Sequence, residues 1–317
     1  MAGKKTPDDM LSCSRLPALM GLSKYSTPND ELDVSIKAIM GEDRENKQNE
    51  SMAWGDRLEA VILIEAAERL QLADLITEYP EAHFHESLPL CCSLDGTGDG
   101  HGQVITTDPD RGIYVIGQDS ITLDGVGVLE AKLTAVSAED APALYRGPIQ
   151  LQGQMDILQA KWGAVCVLYR GTELRIFLFA PHQQTVATIA QVARDFQKRL
   201  DNFRKTGEVD YYPPATSDDA DRMWPVAEDK VVQLDVEAEL LAAKIVDANK
   251  RAKQAADDKA DAEKDLKVLL ADAKVAVAGK YEIKWPMRSY QAQPEKVVPA
   301  KAAYSIRQST LSVKEVA

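Results

Sequence analysis

The sequence predicts an α/β (α+β) protein with a mixed central sheet flanked by helices, followed by a separate C-terminal part. Three observations predict this class. Apolar residues recur at helical spacing over residues 51–71. Short apolar runs typical of strands dominate residues 78–134, and a hairpin is predicted around Arg170-Gly171. Further helices are predicted from Pro148 and over residues 183–205, and this order of elements suits a sheet flanked by helices.

The N-terminal part is predicted to be helical before the sheet begins. A short helix over residues 14–22 has Ser12 or Ser14 as its cap. A turn leads to a second helix over residues 30–40, and a charged loop at 41–49 leads to the helix at 51–71.

Glu59 on the third helix leans towards the apolar side. A carboxylate in that position is unusual unless a positive group meets it. A solvated surface Glu is the alternative. Gly55, one turn earlier, is expected to let the helix pack close to the sheet.

The strand region contains two clear strands, Ile113-Tyr-Val-Ile and Val126-Gly-Val-Leu. The turn-rich segments between Asp95 and Glu130 predict an inserted or extended hairpin. Four acidic residues of this hairpin are rival metal ligands, each less favoured than a solvated turn residue: Asp99, Asp108, Asp110 and Asp124. A helix is predicted over residues 138–145.

The C-terminal third is predicted to be organised differently from the rest. Prolines and an acidic turn mark a boundary at residues 211–219. The chain therefore divides into a core at 1–212, a linker at 213–233, a long helix or helical hairpin at 234–278, and a small β unit at 279–317.

The long segment at 234–278 is rich in Ala, Lys and Asp, and its middle has few large apolar residues. A continuous helix would be roughly 65 Å long, and the alternative is a hairpin bent near residues 257–261. It is either a solvated spacer or a protruding subunit contact. Gly279 is expected to stop it, and strands are predicted at Tyr281–Trp285, Tyr304 and Leu311, within a locally basic tail that suits DNA.

Asp95, Glu130 and Lys132 form the most informative group in the sequence. Both carboxylates close short apolar runs that are typical of strands. Residues two apart in a strand point to the same face, so Glu130 and Lys132 emerge side by side and a neighbouring strand can bring Asp95 to them. Two carboxylates can hold Mg²⁺, and an adjacent Lys can activate a water or neutralise a phosphate. Two solvated strand ends are the alternative.

Four stretches in order support the first interpretation. They are Ser14-Arg-Leu-Pro-Ala-Leu-Met-Gly-Leu-Ser-Lys-Tyr-Ser-Thr-Pro28, then Trp54-Gly-Asp-Arg-Leu-Glu59, then Ser93-Leu-Asp95-Gly96 with Glu130-Ala-Lys132, and Gln150-Leu-Gln152-Gly-Gln-Met155. Together they resemble the YqaJ-like viral recombinase family, a branch of the PD-(D/E)xK nucleases that includes lambda-type exonucleases. The resemblance covers residues 10–180 and implies that residues 1–212 are a PD-(D/E)xK nuclease core.

The resemblance implies a role for each matching residue. Two Mg²⁺ ions are expected, with Mn²⁺ able to substitute. Asp95, Glu130 and the carbonyl of Ala131 would hold one ion, and Glu59 a second ion or its water. Lys132 would help to generate the nucleophile. Gln152 would position Lys132 or the phosphate, with a helix-surface Gln as the alternative.

Two departures from the family pattern affect these expectations. Leu94 stands where the family usually has Pro, which supplies no ligand. The region that carries a phosphate-gripping Arg in lambda-type enzymes holds Lys4, Lys5 and Pro7 here. Ser14 and Arg15 are then the candidate contacts to DNA and its 5′-phosphate.

The resemblance also implies a function. The expected activity is 5′-to-3′ exonuclease action on linear duplex DNA, leaving 3′ overhangs for a single-strand annealing recombinase in phage recombination. A homo-oligomer, a ring-type trimer or tetramer, is expected. The alternatives are an endonuclease of the same superfamily, and a non-catalytic scaffold that binds DNA ends or a recombinase.

Composition agrees with an expected location in the bacterial host cytoplasm. The start of the chain lacks an apolar signal segment, and no long apolar run predicts a membrane span. The four scattered cysteines suggest reduced thiols and no iron–sulfur cluster. The net charge of −13 does not exclude DNA binding, because net charge does not fix the local field.

Overall fold

The computed structural model describes residues 6–42 and 49–287. The chain forms two compact units, the first ending at Met223 and the second beginning at Trp224. The elements of the first unit are, in chain order, β1 (Leu11–Ser12), α1 (Leu16–Leu19), α2 (Pro28–Ile39), α3 (Glu50–Leu70), β2 (Ala73–Ile76), β3 (His83–Phe84), β4 (Leu90–Cys92), β5 (Gly96–Thr106), β6 (Ile113–Val115), β7 (Ser120–Thr134), α4 (Pro148–Leu158), β8 (Gly163–Tyr169), β9 (Glu173–Phe179), α5 (Gln183–Thr206) and α6 (Ser217–Met223).

The main sheet has six strands in the order β2-β5-β7-β8-β9-β6. Strand β7 pairs antiparallel with β5 and parallel with β8, and β9 pairs antiparallel with β8 and parallel with β6. The predicted mixed sheet is therefore confirmed. The predicted hairpin between Asp95 and Glu130 consists of the long strands β5 and β7, with β6 inserted between them in sequence.

Helices cover both faces of this sheet, as predicted. Because side chains alternate along a strand, β8 supplies residues to two separate cores. Val165 and Val167 pack in the core that contains Leu151 of α4 and Phe196 of α5. The intervening Ala164 and Cys166 pack in the core that contains α3 and the buried Trp162 ring.

A second, three-stranded sheet has the order β1-β4-β3, with β1 parallel to β4. Leu11, Leu90 and Cys91 are fully buried there. This sheet fixes the end of β4, from which the chain runs directly to Asp95 and β5.

Three local predictions were wrong. Instead of a helix over residues 14–22, the chain forms a 3₁₀ turn (Cys13–Arg15) and the single-turn helix α1. Residues 138–145 contain Pro142 and are not helical. Gly55 does not serve close packing of α3, since a Cβ placed there would meet no atom within 4 Å.

Helix α6 belongs to the first unit, although the sequence analysis assigned its residues to a linker. Arg222 pairs with Asp30 at 2.7 Å and with Asp33 at 3.0 Å, both on α2. The buried Asp219 accepts a hydrogen bond of 2.8 Å from the hydroxyl of Thr27. These contacts attach α6 to the start of α2.

The second unit contains a long helix, α7 (Val236–Leu270), and a hairpin of β10 (Val275–Ala278) and β11 (Tyr281–Lys284). The helix is continuous over 35 residues, so the bent hairpin is not formed. The helix ends at Leu270, so the prediction that Gly279 stops it is wrong; Gly279 lies in the β10–β11 turn at φ +59°. The predicted strands at Tyr304 and Leu311, and the basic tail from Arg288, lie outside the described residues. No helix in the described part of the chain is long and apolar enough to cross a membrane.

Candidate active site

Strand β7 presents Glu130 and Lys132 together, as their spacing predicted. Glu130 is fully buried, and one of its carboxylate oxygens accepts a hydrogen bond from Lys132 Nζ. The Lys132 side chain is 29% exposed, so its amino group lies between the buried carboxylate and solvent. The pair therefore consists of a buried carboxylate and an amine that solvent can reach.

Asp95 lies beside this pair, between β4 and β5. The backbone N–H of Ala131 donates to Asp95 Oδ2 at 2.9 Å, which ties the two strand ends together. Burial raises the pKa of Asp95 well above its usual range, and repulsion from Glu130 adds to this effect. Such a shift means that the ionised carboxylate is poorly stabilised by the protein alone.

Glu59 of α3 is part of the same electrostatic group. Its charge raises the pKa of both Asp95 and Lys132. Glu59 therefore lies on the side of α3 that faces the strand residues, as its position in the helix pattern predicted. Lys132 is the positive group whose pKa its charge affects.

Lys132 is held in its charged form. Burial by itself would lower the pKa of this amine, but the charges of Glu130 and Asp95 outweigh burial and raise it. A protonated Lys132 can donate hydrogen bonds and neutralise negative charge, and it is a poor proton acceptor.

Two glutamines of α4 reach the site, and neither of them is Gln152, the glutamine that was predicted to do so. Gln154 Nε2 donates to the second carboxylate oxygen of Glu130 at 2.7 Å, and Gln150 Oε1 accepts from Lys132 Nζ at 3.4 Å. Residues four apart share a helix face, so their spacing was a usable signal.

The prediction that Gln152 positions Lys132 is contradicted by its contacts. The Gln152 amide donates to the carbonyl of Ala180 at 3.0 Å and accepts from the backbone N–H of His182 at 2.7 Å. Both ends of the amide are thus used to hold the connection from β9 to α5, two residues away from the helix face that meets Lys132.

A cavity of about 360 Å³ opens next to Lys132. Hydroxyl and aromatic groups line it, including Ser14 and Tyr145, together with Arg146. The Arg146 guanidinium lies 5.5 Å from the Tyr145 ring centre and forms an ion pair with Glu139. The exposed Lys24 lies 5.4 Å from the same ring. The cavity thus combines donors and positive charge.

Of the two candidate DNA contacts, Ser14 lines this cavity and Arg15 does not. Arg15 is buried, and its guanidinium donates to Glu31 at 2.7 Å and to the Ser35 hydroxyl at 3.0 Å. The prediction that Arg15 contacts a 5′-phosphate is therefore wrong, because this side chain anchors α2. Sequence proximity to Ser14 did not reveal the direction of its side chain.

Two rival ligands have other roles. Asp108 caps the short turn that precedes β6 by accepting from the Arg111 N–H at 3.3 Å. Asp124 is 59% exposed and pairs with Lys161 at 2.7 Å. Neither is among the groups that shift the pKa of Asp95.

The donor set fits a hard divalent cation. Asp95, Glu130 and Glu59 bring negative charge together at this site. Burial, and then repulsion from Glu130, raise the pKa of Asp95, and a bound cation would offset both effects. Within residues 6–42 and 49–287, no three His, Cys, Asp or Glu side chains lie close enough together to form a metal site on their own. A cation held by Asp95 and Glu130 would therefore need the Ala131 carbonyl and water as further ligands.

Comparison with known proteins gives one family. Residues 6–156 match the YqaJ-like viral recombinase domain. No curated protein sequence matches the chain.

Among solved structures, the chain is similar to the alkaline exonuclease LHK-Exo from Laribacter hongkongensis, with 14% sequence identity and a TM-score of 0.44. The match covers 62% of this chain and 90% of that chain. The complex of LHK-Exo with dAMP also has a TM-score of 0.44, with 14% identity over 63% of this chain and 94% of that one. A phage-related exonuclease from Haemophilus somnus 129PT has 13% identity and a TM-score of 0.39, with 63% of this chain and 96% of that chain covered.

The domain match covers all the site residues described above on α3, β7 and α4. Residues 6–156 of the first unit are therefore similar to the YqaJ-like viral recombinase domain, the family that the motifs of this chain resemble.

Proposed function

We propose that the protein is a Mg²⁺-dependent exonuclease that degrades linear duplex DNA from its ends. The observation that carries the proposal is the group of Asp95, Glu130 and Lys132, assembled on adjoining strands inside a YqaJ-like domain. A purely structural role would not require a buried carboxylate whose ionised form is destabilised by a second buried carboxylate.

The chain's own residues suggest how the site works. Mg²⁺ bound by Asp95, Glu130 and the Ala131 carbonyl would supply Lewis-acid activation of a phosphodiester. Lys132, charged and hydrogen-bonded to Glu130, would donate to the developing negative charge and orient the attacking water. Gln154 would hold the Glu130 carboxylate in one orientation, and Gln150 would restrict the Lys132 amine. Glu59 would hold a second ion or its water.

The cavity beside Lys132 supports dependence on a DNA end. A terminal phosphate placed there would meet the Ser14 hydroxyl and the positive charges of Lys132 and Arg146, and Lys24 lies beside Tyr145 of the cavity wall. Arg146 takes the place that the sequence analysis gave to Arg15. Charge-assisted donors of this kind bind phosphate strongly.

The same proposal includes the finer expectations. Cutting would run 5′ to 3′, and the resulting 3′ overhangs would be passed to a single-strand annealing recombinase in the bacterial cytoplasm. Mn²⁺ would substitute for Mg²⁺, because it accepts the same oxygen donors.

The test measures acid-soluble nucleotide release from linear and closed-circular duplex DNA in Mg²⁺. Wild type should release nucleotides from linear DNA only, and faster from 5′-phosphorylated than from 5′-hydroxyl ends. Lys132→Ala should reduce release by about 100-fold or more while binding DNA normally. The control is Lys161→Ala, which removes an exposed lysine that also pairs with an aspartate and should leave the rate unchanged.

Other outcomes would redirect the proposal. Nicking of circles that Lys132→Ala abolishes would indicate an endonuclease of the same chemistry. Wild-type rates in Lys132→Ala would remove Lys132 from the mechanism. No metal-dependent cutting of either substrate would favour a scaffold that binds DNA ends. If linear DNA is degraded, end-labelled substrates would then give the polarity.

A further inference from the structure

Helix α7 carries an apolar seam with a seven-residue repeat. The seam consists of two sets of positions, each seven apart: Ala238, Ile245, Ala252, Lys259 and Leu266, and Leu241, Ala248, Ala255, Ala262 and Leu269. Nine of these ten positions are apolar, compared with nine of the other 25 positions of the helix. A repeat of this kind over five heptads is the pattern of a helix that pairs with another helix.

The ends of the seam are open to a partner. The Leu241, Leu266 and Leu269 side chains are 54%, 37% and 81% exposed. Trp285, which follows β11, contacts Lys267 at 5.7 Å from the ring centre, and Lys267 is not a seam position. The hairpin residue therefore lies off the seam.

Charges beside the seam are separated along the helix. The five positions that immediately precede the first set of seam residues hold Glu237 at the start of the helix, then Lys244 and Arg251, then Asp258 and Asp265. In the antiparallel register described below, Glu237 would fall opposite position 272, beyond the end of the helix at Leu270, so the four inner positions decide the pairing. In a coiled coil these flanking positions form the ion pairs that decide partner and orientation.

This charge order is complementary to itself when the helix is reversed. Two antiparallel copies would place Lys244 opposite Asp265 of the other copy and Arg251 opposite Asp258 of the other copy, each pair occurring twice. Two parallel copies would align like charges at the same height and would form none of these four pairs. The charge pattern therefore favours an antiparallel pair of identical helices.

The seam residues match in the same register. Leu241 of one copy then meets Leu266 of the second, and Ala252 meets Ala255 across the two-fold axis. Leucines pack at both ends, while alanines in the middle allow the two helix axes to approach closely. Lys259 meets the small Ala248, so its stem can lie along the alanine with its amine in solvent.

We propose that α7 forms an antiparallel coiled coil with α7 of a second copy of this chain. The pair is a subunit contact made by the second unit. It does not depend on the nuclease activity proposed above, and the two can fail separately.

The test is a charge exchange in the full-length protein, followed by sedimentation velocity. Wild type should self-associate through pairs of chains. Lys244→Glu with Arg251→Glu, and separately Asp258→Lys with Asp265→Lys, should each weaken association by roughly 10- to 100-fold, since four attractive pairs become repulsive. An equimolar mixture of the two variants should associate as wild type does.

The matched control is Lys250→Glu with Lys253→Glu, which makes the same change in net charge on the outer face of the helix and should not alter association. Circular dichroism would check that helix content is unchanged in every variant. A wild-type protein that stays monomeric at about 100 µM would overturn the proposal, as would coverage of the seam by the chain's own C-terminal residues. Association unaffected by the charge reversals, or a mixture that fails to recover, would overturn it equally.

Discussion

At the scale of single residues, the two buried carboxylates of the site differ in how well the protein stabilises their charge. Glu130 has Lys132 and Gln154 as partners for its two carboxylate oxygens. Asp95 has one backbone donor and faces two other carboxylates. Without a bound cation, the ionised Asp95 therefore makes unfavourable interactions in the folded protein.

This repulsion predicts that Asp95→Asn stabilises the metal-free protein. Asn keeps an oxygen that can accept from Ala131 and removes the charge. The melting temperature of the variant in EDTA should be about 2–6 °C higher than that of wild type, which corresponds to roughly 1–2 kcal/mol in the free energy of unfolding. In wild type Mg²⁺ should raise the melting temperature, and in the variant this rise should be absent.

The sign of the pH dependence follows from the raised pKa of Asp95. A carboxyl whose pKa is higher in the folded state favours folding when protonated. Metal-free wild type should therefore lose stability as the pH rises from about 4 through the folded-state value, whereas Asp95→Asn should not show this loss. Asp124→Asn, at an exposed ion pair, is the control. Equal melting temperatures for Asp95→Asn and wild type in EDTA would contradict the argument.

Some residues of the site could be predicted from the sequence and others could not. Strand periodicity placed Glu130 and Lys132 correctly, because a strand fixes side-chain direction with a period of two. On α4 the motif left three glutamines to choose from, and only the position of β7 relative to the helix decides which faces inward. The direction of Arg15 depended on Glu31 and Ser35, which no local pattern connects to it.

At the scale of elements, regular helices and long strands were predictable and irregular connections were not. Helices α3 and α5 begin and end close to the predicted residues because their apolar spacing is regular. The segment at 138–145 was mistaken for a helix. Its acidic residues Glu139 and Asp140 instead bind Arg146 and Arg175, contacts that only the folded chain creates.

Gly127 of β7 shows how packing between elements constrains the sequence. A Cβ at this position would lie 2.2 Å from Cε2 of the buried Trp162 ring. Glycine in a strand often marks such a close approach.

Gly127→Ala should therefore destabilise the first unit by about 2–3 kcal/mol, because the ring has no free space to move into. Urea unfolding would measure the change. Gly55→Ala in α3 is the matched control. A Cβ there meets nothing within 4 Å, so the variant should gain about 0.5–1 kcal/mol from helix propensity. Similar effects of the two substitutions would show that Trp162 does not restrict β7.

At the scale of the whole molecule, the chain divides into two units, with α6 at the end of the first and α7 and the β10–β11 hairpin in the second. The end of the first unit could not be predicted from the sequence pattern. Residues 217–223 are acidic and follow two prolines, which is typical of a linker. Their role depends on Arg222 meeting Asp30 and Asp33, acidic residues that are nearly 200 positions away in the chain.

These ion pairs predict how far the chain must extend for the first unit to be stable. A protein ending at residue 223 should fold and keep the nuclease activity. One ending at residue 212 leaves Asp30 and Asp33 without their cation and Thr27 without Asp219, and should lose about 1–3 kcal/mol. Thermal unfolding of the two truncated proteins, with Arg222→Leu in the longer one as control, measures the difference.

The difference between the two proteins should also depend on pH. Burial alone would raise the pKa of Asp30, but hydrogen bonds from Thr27 and the charge of Arg222 lower it. A carboxyl with a lowered folded-state pKa stabilises the fold above its unfolded value of about 3.9 and ceases to do so as the pH falls through the folded value. Thr27 is present in both proteins and Arg222 only in the longer one, so the part of the gap that comes from Arg222 should be full at neutral pH and shrink in acid. Equal stability of the two proteins at pH 7 would place the end of the first unit before α6.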